Sequence, residues 1–545
     1  MTPARAWPVA RLLLAALVLH LLLVQPNHPA AMTWQAPFLF ALELPVILLA
    51  LIALRGRAAT AARIVLCVWL TVLCVLKTAD FAMFTALSRG FNPVADLVLV
   101  GAGLRLVAGA IGAVPAGLLL LGAVIAVIAV GAAAWWASGV WAAVAAPRRA
   151  GAAAGAGALL FAGAAVAEIG QAMGRWTLPV APPGAAFTAR VGVERVLTAR
   201  ETLRELRAFR VAASSDPYAD RAGLFDRIDR DVLIVFIESY GRTSLETPFY
   251  AETHRDTLRR HEAELSRRGL ATASGLLKAP TRGGQSWLSH ATFANGLWVD
   301  DQARYGAVLA SGRETLFHLA ARSGFHTAAV MPQITLDWPE SDLMGFDTVL
   351  AARDLGYAGA PFNWVTMPDQ FTLAALDRRL RNVTGGRPLF AQVALASSHA
   401  PWVPVPELVD WDSIGSGRIF DAMAASGDPP EEVWRDRDRV RRQYRKAIDY
   451  TLSTVFSYAA RHAGDPPLMI VLGDHPAADF VAMDDRADVP VHVIGPADLV
   501  RATETLGWRP GLIPAPGAPV TRMDRMRDLI IEVFSSRPSA ARAGE

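Results

Sequence analysis

The chain has 545 residues, of which 53% are hydrophobic and only 19% charged, which makes it too long for one ordinary core and too apolar for a disordered chain or an average soluble enzyme. A formal net charge of +3, with no polybasic run and no interleaving of aromatic with basic residues, argues against a nucleic-acid partner. Its two cysteines, Cys67 and Cys74, both sit in an apolar stretch, so no disulfide framework exists. Of the 50 acidic residues only Glu43, Asp80, Asp96 and Glu168 fall within the first 168 positions; one half of the chain is built for lipid and the other for water.

In the first half, residues 12–24 form an apolar run short of the ~20 residues that span a bilayer. Lying behind Arg5 and Arg11, it also has the pattern of a signal peptide. Residues 36–54 carry Glu43 and Pro45, and residues 64–86 carry Lys77 and Asp80; charges inside spans face the bundle interior or pair helices. Residues 97–112 are interrupted by Arg105 and read as interfacial or re-entrant. Residues 116–144 are free of charge and are the clearest span. Residues 150–166 are mostly Ala and Gly, with Gly151 and Gly155 spaced for close helix packing. Five spans with the N-terminus inside put Arg5, Arg11, Arg55, Arg57, Arg63, Arg148 and Arg149 on the inner side. Lys77, Arg89 and Arg105 then lie on the outer side, as the positive-inside rule demands. The expected plan is a transmembrane domain of five helices over 1–170, a linker and interfacial helix over 171–215, an α/β catalytic domain over 216–500 and a C-terminal extension over 501–545. The expected location is a cytoplasmic (inner) membrane crossed several times, with the polar half on the extracytoplasmic, periplasmic side.

Residues 174–184, rich in Pro, read as the linker, and residues 191–209 as a basic amphipathic helix that lies on the bilayer surface or docks on the next domain. From Asp231 onward short apolar runs alternate with longer helical patterns, the signature of an α/β domain with a largely parallel sheet. Helices are expected over 252–268, 313–322, 371–380 and 437–462, and strands over 232–237, 327–331, 389–395, 468–472 and 491–494. Asn382, Val383 and Thr384 fit a glycosylation sequon, which chance explains better.

The residues at the strand ends carry the chemistry. The run 232–237 leads into Glu238, 468–472 into Gly473, Asp474 and His475, and 389–395 into Ser398 and His399. Ligands bind at the carboxyl ends of strands in open α/β sheets, so these groups can converge although distant in sequence. Carboxylates with an imidazole form a donor set suited to one divalent ion, Zn²⁺ or Mn²⁺. The nucleophile is expected between Thr281 and His290. There Gly283 and Gly284 allow a tight turn, and Ser286 follows at a helix start whose free N–H groups favour an anion. Thr281, Ser289 and His290 compete with Ser286 for that role.

At these residues the chain resembles a known family. The stretch from Ile234 through Glu238 and Ser239 to Arg242, then Arg282 to Ser286 with Asn295, Gly296 and Leu297 downstream, then Ser397 to Trp402, then Gly473 to His475, is similar to the sulfatase-like branch of the alkaline phosphatase superfamily. In layout it resembles the lipoteichoic acid synthases and the phosphoethanolamine and phosphoglycerol transferases, over roughly residues 9 to 500. The resemblance implies five membrane helices followed by an outward-facing sulfatase-like domain. It further implies one divalent metal held by Glu238, Ser286, Asp474 and His475, with Ser286 in the place of the family's nucleophilic threonine and His399 in that of the histidine contacting the substrate phosphate. Pro476 stands where the family often has Gly or Tyr. The sulfatase signature, Cys or Ser followed by Pro and Arg, is absent around Ser286, which disfavours sulfate-ester hydrolysis.

The implied activity is a ping-pong transfer of a phosphoryl-linked headgroup, phosphoglycerol or phosphoethanolamine, from a phospholipid donor to a glycan or lipid acceptor through a seryl intermediate. Hydrolysis of phosphate or sulfuric esters at the same site, or a non-catalytic lipid sensor, are the alternatives. The loop 401–434, with Trp402, Trp411 and Trp434, is expected to read the substrate.

Overall fold

The computed structural model describes residues 3–87, 89–180, 182–219, 221–381 and 386–536. The chain divides into two compact units, Met1–Glu205 and Leu206–Glu545; the sequon at 382–384 lies outside the described residues.

The first unit is helical: α1 Pro3–Val24, α2 Glu43–Ala53, α3 Gly56–Leu87, α4 Leu97–Ile111, α5 Ala113–Ala142, α6 Arg148–Ala172 and the start of α7, Phe187–Ala213. Among the described residues three helices are long and apolar enough to cross a membrane, Gly56–Thr85 within α3, Ala113–Ala142 and Arg148–Ala172, whereas the apolar part of α1, Pro8–Val24, and α2 are shorter. The run expected to span at 36–54 is divided. Pro37 sits in a separate 3-10 turn, Ala36–Phe38, and α2 has 11 residues, a rise of only about 16 Å against a hydrocarbon core of about 30 Å. Glu43 is the first residue of α2. Its buried Oε1 accepts the backbone N–H groups of Thr188 and Ala189 at 2.7 and 2.9 Å, satisfying donors that the first turn of α7 leaves free. Other charges in this unit are also committed. Lys77 Nζ donates to Leu23 O and Thr188 Oγ1 at 2.8 and 2.7 Å, Asp80 pairs with Arg195 at 3.2 Å, and Glu168 with Arg190 at 3.3 Å. Glycines 155 and 157 of α6 face Ala53 and Leu49 of α2, the close approach that small residues permit.

The second unit is a nine-stranded sheet flanked by helices. Its strands are β1 Val232–Ile237, β2 Ala271–Lys278, β3 His326–Met331, β4 Thr348–Ala351, β5 Leu389–Leu395, β6 Leu468–Gly473, β7 Asp488–Gly495, β8 Arg509–Pro510 and β9 Val520–Arg522. The spatial order is β4-β3-β5-β1-β6-β7-β2-β8, with β9 beside β2. The first five in that order are parallel, β7 runs against both β6 and β2, and β2 pairs parallel with β9. The sheet is thus largely parallel at its centre. All six residues of β1 are buried, as expected of a strand covered on both faces. Leu233, Val235 and Ile237 enter one apolar cluster, and Val232, Ile234 and Phe236 the other.

The expected helices begin or end a few residues from where they lie: Pro248–Arg267, Leu316–Arg322, Asp369–Leu376 continuing into the π turn Asp377–Arg381, and Arg437–Arg461. Arg313 stands outside its helix because Thr315 is the N-cap, accepting from the N–H groups of Phe317 and His318. Residues past 500 read in sequence as an extension; the described ones instead supply β8, β9 and the helix Met526–Phe534, whose Met526, Ile530, Ile531 and Phe534 are in the core with Phe236.

Candidate metal and phosphoryl-transfer site

Register brings the site together. Ile237 at the end of β1 lies opposite Leu395 of β5 on one side and Gly473 of β6 on the other, so the residues that come after all three strands emerge side by side on one edge. Gly473 must be glycine, because a Cβ there would lie 2.0 Å from the carbonyl oxygen of Tyr240. Ser239 takes a left-handed φ of 60°. In that turn its N–H donates to Asp474 Oδ1 at 2.9 Å and its Oγ to Glu238 Oε1 at 3.0 Å. Asp474 Oδ1 also accepts the backbone N–H of His475 at 2.6 Å.

Gly283 and Gly284, with φ of 68° and 145°, and Gln285 at 66° turn the chain into the helix Ser286–Asn295. Ser286 therefore stands at the helix N-terminus, where unpaired N–H groups and the helix dipole attract anions. Its Oγ lies 2.9 Å from Glu238 Oε2 and 3.2 Å from His475 Nε2. His475 Nε2 is 3.3 Å from Glu238 Oε1 and 3.8 Å from Asp474 Oδ1. Its Nδ1 lies 2.9 Å from the Pro476 carbonyl oxygen; a carbonyl only accepts, so Nδ1 carries a proton and Nε2 is the nitrogen turned to the carboxylates.

Donor atoms of Glu238, Asp474 and His475 all lie within 4.8 Å of one another, the one group among the described residues with the spacing to hold a metal ion. Burial works to raise the Glu238 carboxyl, yet the charges of His475 and His399 and hydrogen bonds with Asp474 and Ser286 bring it down to about 2. Asp474 moves the other way, pushed well above the usual carboxylate range by burial and then by the facing Glu238. Two buried carboxylates this close resist full ionisation unless a cation neutralises them. Carboxylate oxygens, an imidazole nitrogen of fixed tautomer and the Ser286 hydroxyl fit a divalent ion of the zinc or manganese type.

The sequence rivals of Ser286 are placed differently. Thr281 and Ser289 are buried and face each other, Oγ1 to Oγ, at 3.5 Å. His290, one turn beyond Ser286 on the same helix face, packs its ring on Phe236 with centroids 4.2 Å apart. Just as Ser286 meets Glu238, His290 meets the residue two positions earlier on the same face of β1. Burial holds His290 down at about 4, so it is a neutral imidazole beneath the site. His399 is partly exposed, and its Nδ1 is bonded to the Ala400 carbonyl oxygen, which leaves Nε2 free. Its neighbour Ser398 donates to the Glu238 carbonyl at 2.7 Å.

Several contributors carry no sequence signal of their own. Tyr444, in the helix Arg437–Arg461, donates to Ser239 O at 2.8 Å and so supports the turn after β1. Arg282 pairs with Asp479, tying the Gly-Gly turn to the chain after His475. Trp402 and Trp434 of the expected substrate loop stack together, while Trp411 packs on Tyr458 away from them.

The chain is similar to several solved enzymes. It is 12% identical to the integral membrane protein lipooligosaccharide phosphoethanolamine transferase A (EptA) from Neisseria meningitidis, with 96% of each chain covered and a TM-score of 0.46. To the phosphoglycerol transferase GacH of Streptococcus pyogenes, solved with sn-glycerol-1-phosphate, it is 13% identical over 62% of this chain and 82% of that one, with a TM-score of 0.38. To the lipoteichoic acid synthase LtaP of Listeria monocytogenes it is 12% identical over 61% and 79%, with a TM-score of 0.36. No protein-family model matches the sequence, and no curated protein matches it.

Proposed function

We propose that the protein is a metal-dependent transferase that moves a phosphoryl-linked headgroup, phosphoglycerol or phosphoethanolamine, from a phospholipid to an extracytoplasmic glycan or lipid. The observation that carries this reading is the position of Ser286 Oγ. It lies at a helix N-terminus and within 2.9 and 3.2 Å of a carboxylate and an imidazole. Glu238, Ser286, Asp474 and His475 would hold the metal, which when bound lowers the hydroxyl pKa and polarises the phosphoryl oxygens. Ser286 Oγ gives up its proton and attacks phosphorus, and the phosphorus–oxygen bond to diacylglycerol breaks with the proton passing to the leaving alkoxide. A seryl phosphodiester remains. The acceptor hydroxyl then attacks the same phosphorus, losing its proton while Ser286 Oγ regains one.

His399, with Nδ1 occupied by Ala400 O, offers Nε2 to hold the phosphate or to move one of these protons. The N–H groups at the start of the helix Ser286–Asn295 steady the phosphoryl oxygens. The excess of arginines on the inner side of a five-span topology supports an inner-membrane protein whose catalytic unit faces outward. The short α1 and α2 then cross where the bilayer thins around them.

The deciding experiment is mass spectrometry of the intact protein incubated with phosphatidylglycerol or phosphatidylethanolamine vesicles. A headgroup-phosphate adduct on Ser286, absent from Ser286→Ala, is expected. An adduct on Thr281 or Ser289 would overturn the assignment. Headgroup phosphate released at full rate without an acceptor would make the protein a hydrolase.

A further inference from the structure

The segment that carries His399 also carries an aromatic shelf. Trp402 is 4% exposed and Trp434 43%, and their rings are parallel within 2° with centroids 5.8 Å apart. Behind the pair, Trp402 meets Tyr444 edge-on at 5.5 Å, and Tyr444 is bonded to the backbone next to Glu238. Beside it, Phe480 meets Trp434 at 5.9 Å, and its carbonyl is held by Arg441 at 2.8 and 3.0 Å. Both indole N–H groups are committed to the scaffold, Trp402 to Ser398 O at 2.6 Å and Trp434 to Pro401 O at 3.2 Å. Trp434 therefore presents one rigid outward face and no polar handle.

A fixed, exposed aromatic face with its donor already used recognises a ligand by stacking alone. The charges around it decide which ligand. The Arg437 guanidinium stands 5.9 Å over the Phe480 ring, while Asp438 is paired with Arg441 at 2.9 Å and Asp436 caps the helix by accepting the N–H groups of Asp438 and Arg439; with both carboxylates committed, Arg437 opposes an ammonium group on the same shelf. Exposed Asp436, Arg437 and Asp438 form its rim, which disfavours an acyl chain. A flat C–H face bordered by hydroxyls satisfies both the ring and the rim. The geometry points to Trp434 as an acceptor subsite, stacking a pyranose ring of a glycan whose hydroxyl discharges the Ser286 intermediate. This rests on the proposed transfer activity, and places the acceptor beside the segment that presents His399, to which Trp434 is bonded through Pro401 O.

The test uses the full chain in nanodiscs with phosphatidylglycerol and phosphatidylethanolamine as donors, and maltotetraose and cellotetraose as probes. Saturation-transfer NMR is expected to show ring protons of at least one tetrasaccharide in contact with the wild-type protein and not with Trp434→Ala. In steady state the same sugar accelerates diacylglycerol release; Trp434→Ala raises its KM about tenfold while the Ser286 adduct still forms, and Trp434→Phe restores most of the affinity. An unchanged KM in Trp434→Ala, contact with neither sugar, or competition by ethanolamine instead of sugar each overturns the subsite. A wild-type protein that binds sugar at Trp434 but never forms the adduct leaves the subsite standing and overturns the transfer activity.

Discussion

Replacing Asp474 by Asn separates the charge of the proposed metal site from its scaffold. The amide oxygen of Asn can go on accepting the N–H groups of Ser239 and His475, now 2.9 and 2.6 Å from Asp474 Oδ1, so the turns after β1 and β6 keep their bonds. The substitution removes one of the two facing carboxylates. Outer-shell partners of metal ligands are worth about 10–100-fold in affinity, so an anionic ligand is expected to be worth at least the upper end, about 100-fold. By linkage that removes about 2.7 kcal/mol of metal-induced stabilisation at a fixed excess of ion, or roughly 4 °C of melting temperature for a unit of this size. The same change relieves the pressure that holds Asp474 well above the usual range, so chelator-stripped Asp474→Asn should melt at or above stripped wild type at neutral pH. Asp474→Ala should melt below both, since two buried N–H groups lose their acceptor at about 1–3 kcal/mol each. The assay is thermal unfolding of the detergent-solubilised chain by near-ultraviolet circular dichroism, stripped and with excess Zn²⁺ or Mn²⁺, with metal content measured in parallel. A metal-induced shift equal to wild type, or stripped Asp474→Asn melting well below stripped wild type, would refute the reasoning.

Ser286→Ala should abolish turnover with little change in melting temperature, because a partly exposed hydroxyl at a turn adds little packing; Ser286→Thr should retain activity, as assayed by diacylglycerol release. Gly473→Ala drives a Cβ to 2.0 Å from Tyr240 O, a clash with backbone worth roughly 1–3 kcal/mol or more, and should lower metal content and melting temperature together. His492 is bonded to Tyr240 and Ser274 at 3.1 and 2.8 Å, and burial pushes it from 6.5 down to about 3. Its folded value lies below the unfolded one, so its contribution is complete above 6.5 and declines as pH falls below that, by about 1.4 kcal/mol per unit; melting series should show His492→Gln flattening this acid slope. Reporter fusions after Arg149 and after Ala212 should report inside and outside respectively, and an inside signal at Ala212 would reverse the proposed orientation.

The sequence by itself carried the division into a lipid-facing and a water-facing half, because acidic residues all but vanish from the first 168 positions. It also carried the polar ends of β1, β5 and β6, because each comes after a short run apolar enough to be buried on both faces. Composition could not reveal β2, whose Ala, Gly and Lys residues have little strand preference; its extended form is imposed by pairing with β7, β8 and β9. Nor could hydropathy show what the Glu43 carboxylate binds, since its partners are a pair of N–H groups far along the chain. Which of Ser286, Ser289 and His290 meets Glu238 depends on the rotation of one helix, and Thr281 lies ahead of that helix. The stack of Trp402 on Trp434 likewise has no local pattern. Periodicity and burial are written over neighbouring residues, but which distant groups converge depends on strand register and helix rotation, and those are settled only when the sheet assembles around β1.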